Sequence, residues 1–561
     1  MARMALFLVA LLLGLGLPAY GHGGRFRGPR GGVPPGLPEQ PSAPGASGGS
    51  FHSWTTWWSY NRFQHLDFRR RQNERRGPIT GKRQKPEDPN AWRGDVRERL
   101  TPLMLEALGD EDEEVRTAAA VALGKWRVQK AVPRLKELFH KDDVKQVRES
   151  ALLGLMLVRD AQLREFFEPL ANDHEQDLRI RGFALLGIGL IGDEPSRTYL
   201  LGLLDPGNKK ARRHLPRKKK ERREYRTAAI FGLTQAKADL SSDFLRIARD
   251  TRLDEDVRAC ALSALGKTGA KTHVPMLLEI LKTSNSDQMR RSAVIALGAL
   301  ATAKDDEVVT ELGRRVKTDR DRIVVHFATL SLGQIGGPEA FALLRKYYKR
   351  SNKEGRSFFL IAAGLSKHAD AAAFLKEQLQ PGKLKDARDV SAAIMALGLL
   401  EDEQHTPTVR EKFEKAKDWM LLQSSMVALG ILNDQLSADA VKAVLISRRQ
   451  PAVMTSAALS YALLRPWTSI PVFTDLLQTA KGVVALTAIS QIMGLLSSPR
   501  AVDPLLELYK NKKLQRQARA FALVSLGSLG DPEDIPVFIR LAFDINYFIR
   551  SDPVDEAVTI L

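Results

Sequence analysis

The residue types with chemistry to offer are few in this 561-residue chain, and they are widely spaced. Its ten histidines are scattered, without the spacings that bring two imidazoles to one metal ion. They read as surface or core residues. Cys260, the one cysteine, lies among alanines on a helical pattern and reads as packing. A single thiol excludes a disulfide framework, a CxxC redox pair, Cys-ligated zinc and CxxCH haem attachment. No HExxH, GxSxG, P-loop or GxGxxG occurs. The expectation is therefore a non-enzyme with no catalytic residue, no cofactor and no metal site. An enzyme with an unrecognised site is the alternative.

Positive charge is dense where catalytic types are not. Residues 205–224 read DPGNKKARRHLPRKKKERRE; through Arg226 the run holds eleven basic and three acidic residues, net +8. Lys209, Lys210, Arg212, Arg213, Arg217, Lys218, Lys219, Lys220, Arg222 and Arg223 are the candidate contacts for an anionic lipid headgroup or anionic polymer. The competing reading is a solvated, mobile loop. No aromatic precedes Tyr225, so base stacking is not signalled. The whole chain carries +19, and residues 22–93 hold another +8. With Arg3 set aside, the remainder is close to neutral. A basic groove for a duplex is excluded, and no sequence-specific nucleic acid is expected.

The elements around this run fall into distinct compositional blocks. Residues 1–21 have the layout of a secretory signal peptide: Arg3, the apolar run 4–17, then Ala19-Tyr20-Gly21. Export is expected, to the periplasm, the envelope or the exterior, with no transmembrane span after cleavage. Residues 22–50 are a Gly/Pro-rich linker. Residues 51–68 hold an aromatic cluster, with Trp54, Trp57, Trp58, Tyr60 and Phe63 as a candidate N-terminal cap for the first helical unit. Residues 69–94 are a basic strip, and residues 550–561 a C-terminal tail.

Between these, residues 95–549 repeat themselves. VRTAAAVALG at 115–124 returns as VRACALSALG at 257–266 and MRRSAVIALG at 289–298. Anchored on Val115, copies fall at 115, 147, 178, 225, 257, 289, 324, 357, 389, 421, 453, 484 and 518. That is thirteen units of period near 32 residues, the fourth carrying the basic insertion. Four residues past the anchor stands Ala, Gly or Ser in twelve copies, Ile361 excepted. Eight past it stands Leu in eleven, Tyr461 and Ile492 excepted. Positions four apart share a helix face, so a small residue beside a leucine makes a close helix–helix stripe. Pro133, Pro195, Pro275, Pro338, Pro471, Pro504 and Pro536 open a second helix in the intervening segments. Each unit is two antiparallel helices. The fold class is all-α, an open α-solenoid spanning on the order of 100–130 Å.

These phrases resemble HEAT repeats, in particular the short HEAT-like variety also called PBS-lyase repeats, over about residues 95–545. The ensemble with the signal peptide, the W-x-x-W-W segment and Asp544–Tyr547 resembles exported, uncharacterised bacterial HEAT-repeat proteins. The resemblance implies a scaffold for protein–protein interactions. Enzymes of the class point elsewhere: deoxyhypusine hydroxylases carry several His-Glu dyads for two irons, and this chain has only His174-Glu175.

One asymmetry bears on partners. The residue after the anchor is Arg in units one to six and thirteen, and apolar or small between. Val325, Leu422 and Met454 are a candidate partner stripe on the inner surface, with deeper inter-repeat burial as the competing reading. The arginines are expected to form an ion-pair ladder with acids before the anchors. The functional expectation is an exported, monomeric scaffold with a protein partner. The second reading is an envelope binder of anionic polymer or lipid through residues 69–93 and 205–226.

Overall fold

The repeat phrase forms one helix of each unit because its caps and its apolar run agree. Asp112 caps the first such helix, Glu113–Lys125, by accepting a hydrogen bond from the Glu114 backbone. Asp321, Asp386 and Asp418 cap later copies in the same way. The partner helix of each unit is amphipathic and often opens on proline, as Pro133 and Pro275 show. In this computed structural model the described residues are Trp54, Thr55, Trp57, Trp58, His65, Leu66, Arg71 and the span 91–532, less 269, 448, 449, 467, 481 and 497. They form 27 α-helices and short 3-10 turns, with no strand among the described residues. The signal-peptide and linker assignments, Tyr60, Phe63, most of the basic strip and the C-terminal tail lie outside the described residues.

The helices make two concentric layers. Each anchor-bearing helix packs along its length against the anchor helices of the units before and after it. The other helices mainly cover their own unit and touch one another little. The closely packed set is therefore the inner, shorter circumference. Glycine makes that spacing possible. A Cβ on Gly189 would lie 2.2 Å from the Gly232 carbonyl oxygen, so the two backbones touch.

The array closes on itself. The last inner helix, Arg516–Leu529, packs on the first, Glu113–Lys125, as extensively as consecutive inner helices do elsewhere. The contact is the one used throughout: position nine of one unit meets position seven of the next. Gly124 meets Gly154, Gly333 meets Ala362, Gly398 meets Ala428, and across the seam Gly527 meets Ala122, where an added Cβ would fall 2.8 Å from the alanine Cβ. Polar contacts line both rims of the seam. On one rim Arg519 donates to Asp110 at 3.0 Å and Gln517 to Glu114 at 3.3 Å. On the other, Trp126 Nε1 donates to the Gly527 carbonyl at 2.9 Å and Lys125 faces Asp531 at 3.7 Å. The outer layer closes too, through Arg99 and Asp503 at 2.8 Å. The open row read from the sequence is thus a ring. Thirteen inner helices about 9 Å apart give a circle of helix axes roughly 37 Å across.

Register is corrected at three units. Seven inner helices end on a left-handed residue twelve past the anchor: Arg127, Arg159, Gly192, Gly336, Lys367, Glu401 and Asn433. This sets the anchors of units three and eight at Ile180 and Gly355 rather than 178 and 357. The Gly494–Ser525 contact sets that of unit twelve at Ala485. The residues after the anchors of units three and eight are then Arg181 and Arg356, so unit eight too carries Arg at that position.

Gly189→Ala is expected to lower stability by about 1–3 kcal/mol, because the neighbouring backbone must move. Gly94→Ala, whose added carbon meets nothing within 4 Å, should leave the denaturation midpoint unchanged or slightly raised.

Candidate interaction surfaces

The basic insertion contains a short helix and is tied to the ring by several hydrogen bonds. Asn208 accepts from the backbones of Lys210 and Ala211 and caps a short helix, Lys209–Arg212. The next inner helix, Lys219–Gln235, starts six residues ahead of its anchor Tyr225, against two in the first unit. Leu215 is buried beneath the turn between them. Two backbone carbonyls tie the turn to unit three: that of His214 accepts from Arg181 at 2.6 Å, and that of Arg213 lies 3.0 Å from His174 Nε2. Burial, then the charges of Arg213, His174 and Arg181, lower the His214 pKa, so that ring is neutral at pH 7.

The candidate cations divide into two sets. Lys218 faces Glu221 at 2.9 Å, Lys219 faces Asp254 at 3.6 Å, Lys220 faces Glu224 at 3.9 Å, and Arg223 faces Asp256 at 2.7 Å. Arg222 donates to the Arg217 carbonyl. Lys209, Lys210, Arg212, Arg213 and Arg217 are exposed and have no carboxylate in ion-pair range among the described residues. All five lie at the rim where an outer helix turns into an inner one; Arg212 donates to the Pro206 carbonyl at 3.4 Å.

The aromatic segment does not cap the first unit. Trp54 and Trp57 are buried, and Trp54 Nε1 donates to the Arg388 carbonyl at 3.2 Å, at the inner helix of unit nine. Arg71 donates to the Ile431 carbonyl at 3.0 Å and to Glu401 at 2.8 Å. The expectation fails because it assumed a bare end, and the last inner helix already covers the first.

The apolar stripe lies elsewhere than expected. Leu422 and Met454 are each 8 % exposed, and Val325 is half-buried. Their row faces the ends of the outer helices, as its arginines show. Arg226 donates to the Leu203 carbonyl, Arg258 to Ala248, and Arg519 to Tyr509. These arginines satisfy last-turn carbonyls of the outer helices. Arg116, Arg290 and Arg519 also pair with Asp142, Asp319 and Asp110, each an acid five residues before the next unit's anchor, and Arg290 meets Asp287 before its own. The column expected from sequence as an ion-pair ladder thus does both: it pairs with acids before the anchors at Arg116, Arg290 and Arg519, and it caps outer-helix carbonyls at Arg226, Arg258 and Arg519.

Sequence reasoning missed the row that faces the lumen. The residue six past the anchor is apolar in eleven of thirteen units, Ser263 and Gln491 excepted. Val121, Leu153, Leu186, Phe231, Ile295 and Leu330 are each 4 % exposed or less. The signal was present: inner helices such as LRIRGFALLGIGLI are apolar on every side, the mark of a helix covered all round. A cleft of about 610 Å³ between units two and three was also unforeseen. It is lined by Phe139, His140 and Phe166, with charges that pair among themselves, such as Lys145 and Asp177 at 3.4 Å. His326 stacks on Phe358 and His368 on Phe341. Among the described residues no three metal-binding types converge, and no helix is long and apolar enough to cross a membrane.

Leu422→Asp should lower stability by about 3 kcal/mol or more, since it buries an unpaired charge; Lys209→Glu should change it by under about 0.5 kcal/mol. Equal denaturation midpoints for the two variants would contradict this assignment.

A family model described as HEAT repeats matches residues 92–156 and 217–298. No curated protein matches the sequence. Among solved structures, human deoxyhypusine hydroxylase in complex with glycerol is 17 % identical over 50 % of this chain and 99 % of its own, with a TM-score of 0.22. A structure of Kap95p with RanGDP is 14 % identical over 83 % of this chain and 68 % of its own, with a TM-score of 0.34. Neither likeness carries a functional argument. HEAT repeats are matched at both stretches, and the same two-helix unit continues in one register around the described ring, an all-α solenoid of HEAT-like units.

Proposed function

We propose that the protein is an exported, non-catalytic scaffold that holds protein partners on its rim and outer layer. HEAT repeats suggest such a scaffold. The observation that carries the placement is burial. The lumen-facing row is covered, while one rim displays the basic platform of unit four together with exposed Trp419 and Ile446 of units ten and eleven. Trp419 opens its inner helix and Ile446 lies in the last turn of an outer helix, so both belong to the rim from which the platform rises. Unit four and units ten and eleven stand about half a ring apart, so the cationic platform and the Trp419–Ile446 pair are two separate patches of that rim; tryptophan and arginine are residue types that anchor protein interfaces. The signal-peptide layout supports export.

The five unpaired cations favour a second reading, a contact with an anionic polymer or lipid surface. Salt separates the two, because exposed charge is screened over a Debye length of about 8 Å at physiological ionic strength. Crosslinking capture from an envelope fraction at low and high salt is the test. A partner retained in high salt and lost in Trp419→Ala supports the protein scaffold. Binding to dextran sulfate that vanishes at high salt and on deletion of 207–223, with thermal stability unchanged, supports the anionic reading. Capture unaffected by either change would overturn both placements.

A further inference from the structure

The lumen-facing surface of units nine and ten already holds an occupant, and the occupant is part of this chain. Arg388 stands one residue before its anchor and Ile431 ten residues past its own. Both are inward register positions, in the same sector as the row six past the anchor. Trp54 and Arg71 therefore lie against the inside of the ring, Trp54 at the rim of Arg388 and Arg71 at the rim of Glu401. Trp54 and Trp57 are 2 % exposed and Leu66 is fully buried. Met395, Leu399, Val427 and Ile431, inward residues of these two units, are 4 % exposed or less.

Arg71 is the hook of this contact. Its guanidinium donates to the carbonyls of Leu66 at 2.9 Å, His65 at 3.0 Å and Ile431 at 3.0 Å, and pairs with Glu401 at 2.8 Å. One guanidinium so ties Arg71 to His65 and Leu66 and joins them to two repeats. His65 is the weak point. Its ring lies 5.8 Å from Trp57 and stacks on Trp58 at 6.0 Å, and its Nε2 is buried without a hydrogen-bond partner. The charges facing it are Glu401, Lys367 and Arg71. The one carboxylate among them is shared with Arg71 and with Lys367 at 3.4 Å. A proton on His65 would be held away from water beside Trp57 and Trp58; burial is the main cost, with Glu401 favouring the charge and Lys367 and Arg71 opposing it.

We propose that the inner face of units nine and ten is a docking surface for the chain's own Trp54–Arg71 segment, held by the Arg71 hook and released when His65 takes up a proton. Burial first, then Lys367 and Arg71 against Glu401, lowers the docked His65 pKa to about 4. Undocked, it titrates near 6.5. The pKa is depressed by docking, so docking is at full strength above about pH 6.5 and weakens as pH falls toward 4. The docking constant should fall on the order of 100-fold between pH 7.5 and pH 4.5.

The test nicks the full chain at a protease site placed within 79–90 and follows the N-terminal fragment by size exclusion. At pH 7.5 the fragment should stay with the ring, and at pH 4.5 it should leave. His65→Phe should stay at both values, and Arg71→Ala should leave at both while the ring's melting temperature at pH 7.5 is kept. Loss of the wild-type fragment at pH 7.5 would overturn the proposal. So would retention of the wild-type fragment at pH 4.5, or release of the His65→Phe fragment in acid to the same extent as wild type.

Discussion

The structure depends on how closely the inner helices approach. Where glycine at position nine meets glycine, alanine or serine at position seven, backbone touches backbone and the spacing is as small as helices allow. The outer helices carry leucine and phenylalanine on their packing faces, as in Leu135 and Phe167, and stand farther apart. Unequal spacing in two bonded layers is curvature. Thirteen units at about 28° each complete a circle, and the thirteenth meets the first with the contact all the others use. Closure removes the exposed apolar ends that an open solenoid must cap, so terminal capping repeats are not needed here.

Much of this is legible in the sequence, because it is local. Period, helix pairing, acidic caps and opening prolines each follow from residues within one unit. Register was misread where the local pattern is ambiguous. LRIR at 178–181 offers two arginines two residues apart, and only contacts with neighbouring units choose Arg181. Ring closure is not legible at all. Gly527 and Ala122 are small residues like dozens of others, and nothing in either phrase says that residues some four hundred apart are neighbours. The aromatic segment failed for the same reason: its residues announced burial, but not against which repeat.

Charge follows the architecture. The arginine column beside the anchors consists of packing residues that satisfy helix-end carbonyls and pair with acids before the anchors. The insertion in unit four is different, since its backbone is tied down while five of its cations face solvent. Order without pairing distinguishes a presented surface from a solvated tail, and it could be judged only once each lysine was placed beside or away from a carboxylate.

The central claim is closure, and the most direct test is a distance across the seam. Arg99 and Asp503 lie on the outer helices of units one and thirteen, 2.8 Å apart and exposed. Spin labels on Arg99→Cys and Asp503→Cys leave buried Cys260 unlabelled. Pulsed dipolar spectroscopy should give one narrow distribution at near-contact range. A separation approaching the roughly 100 Å of an open row of thirteen units would contradict the ring.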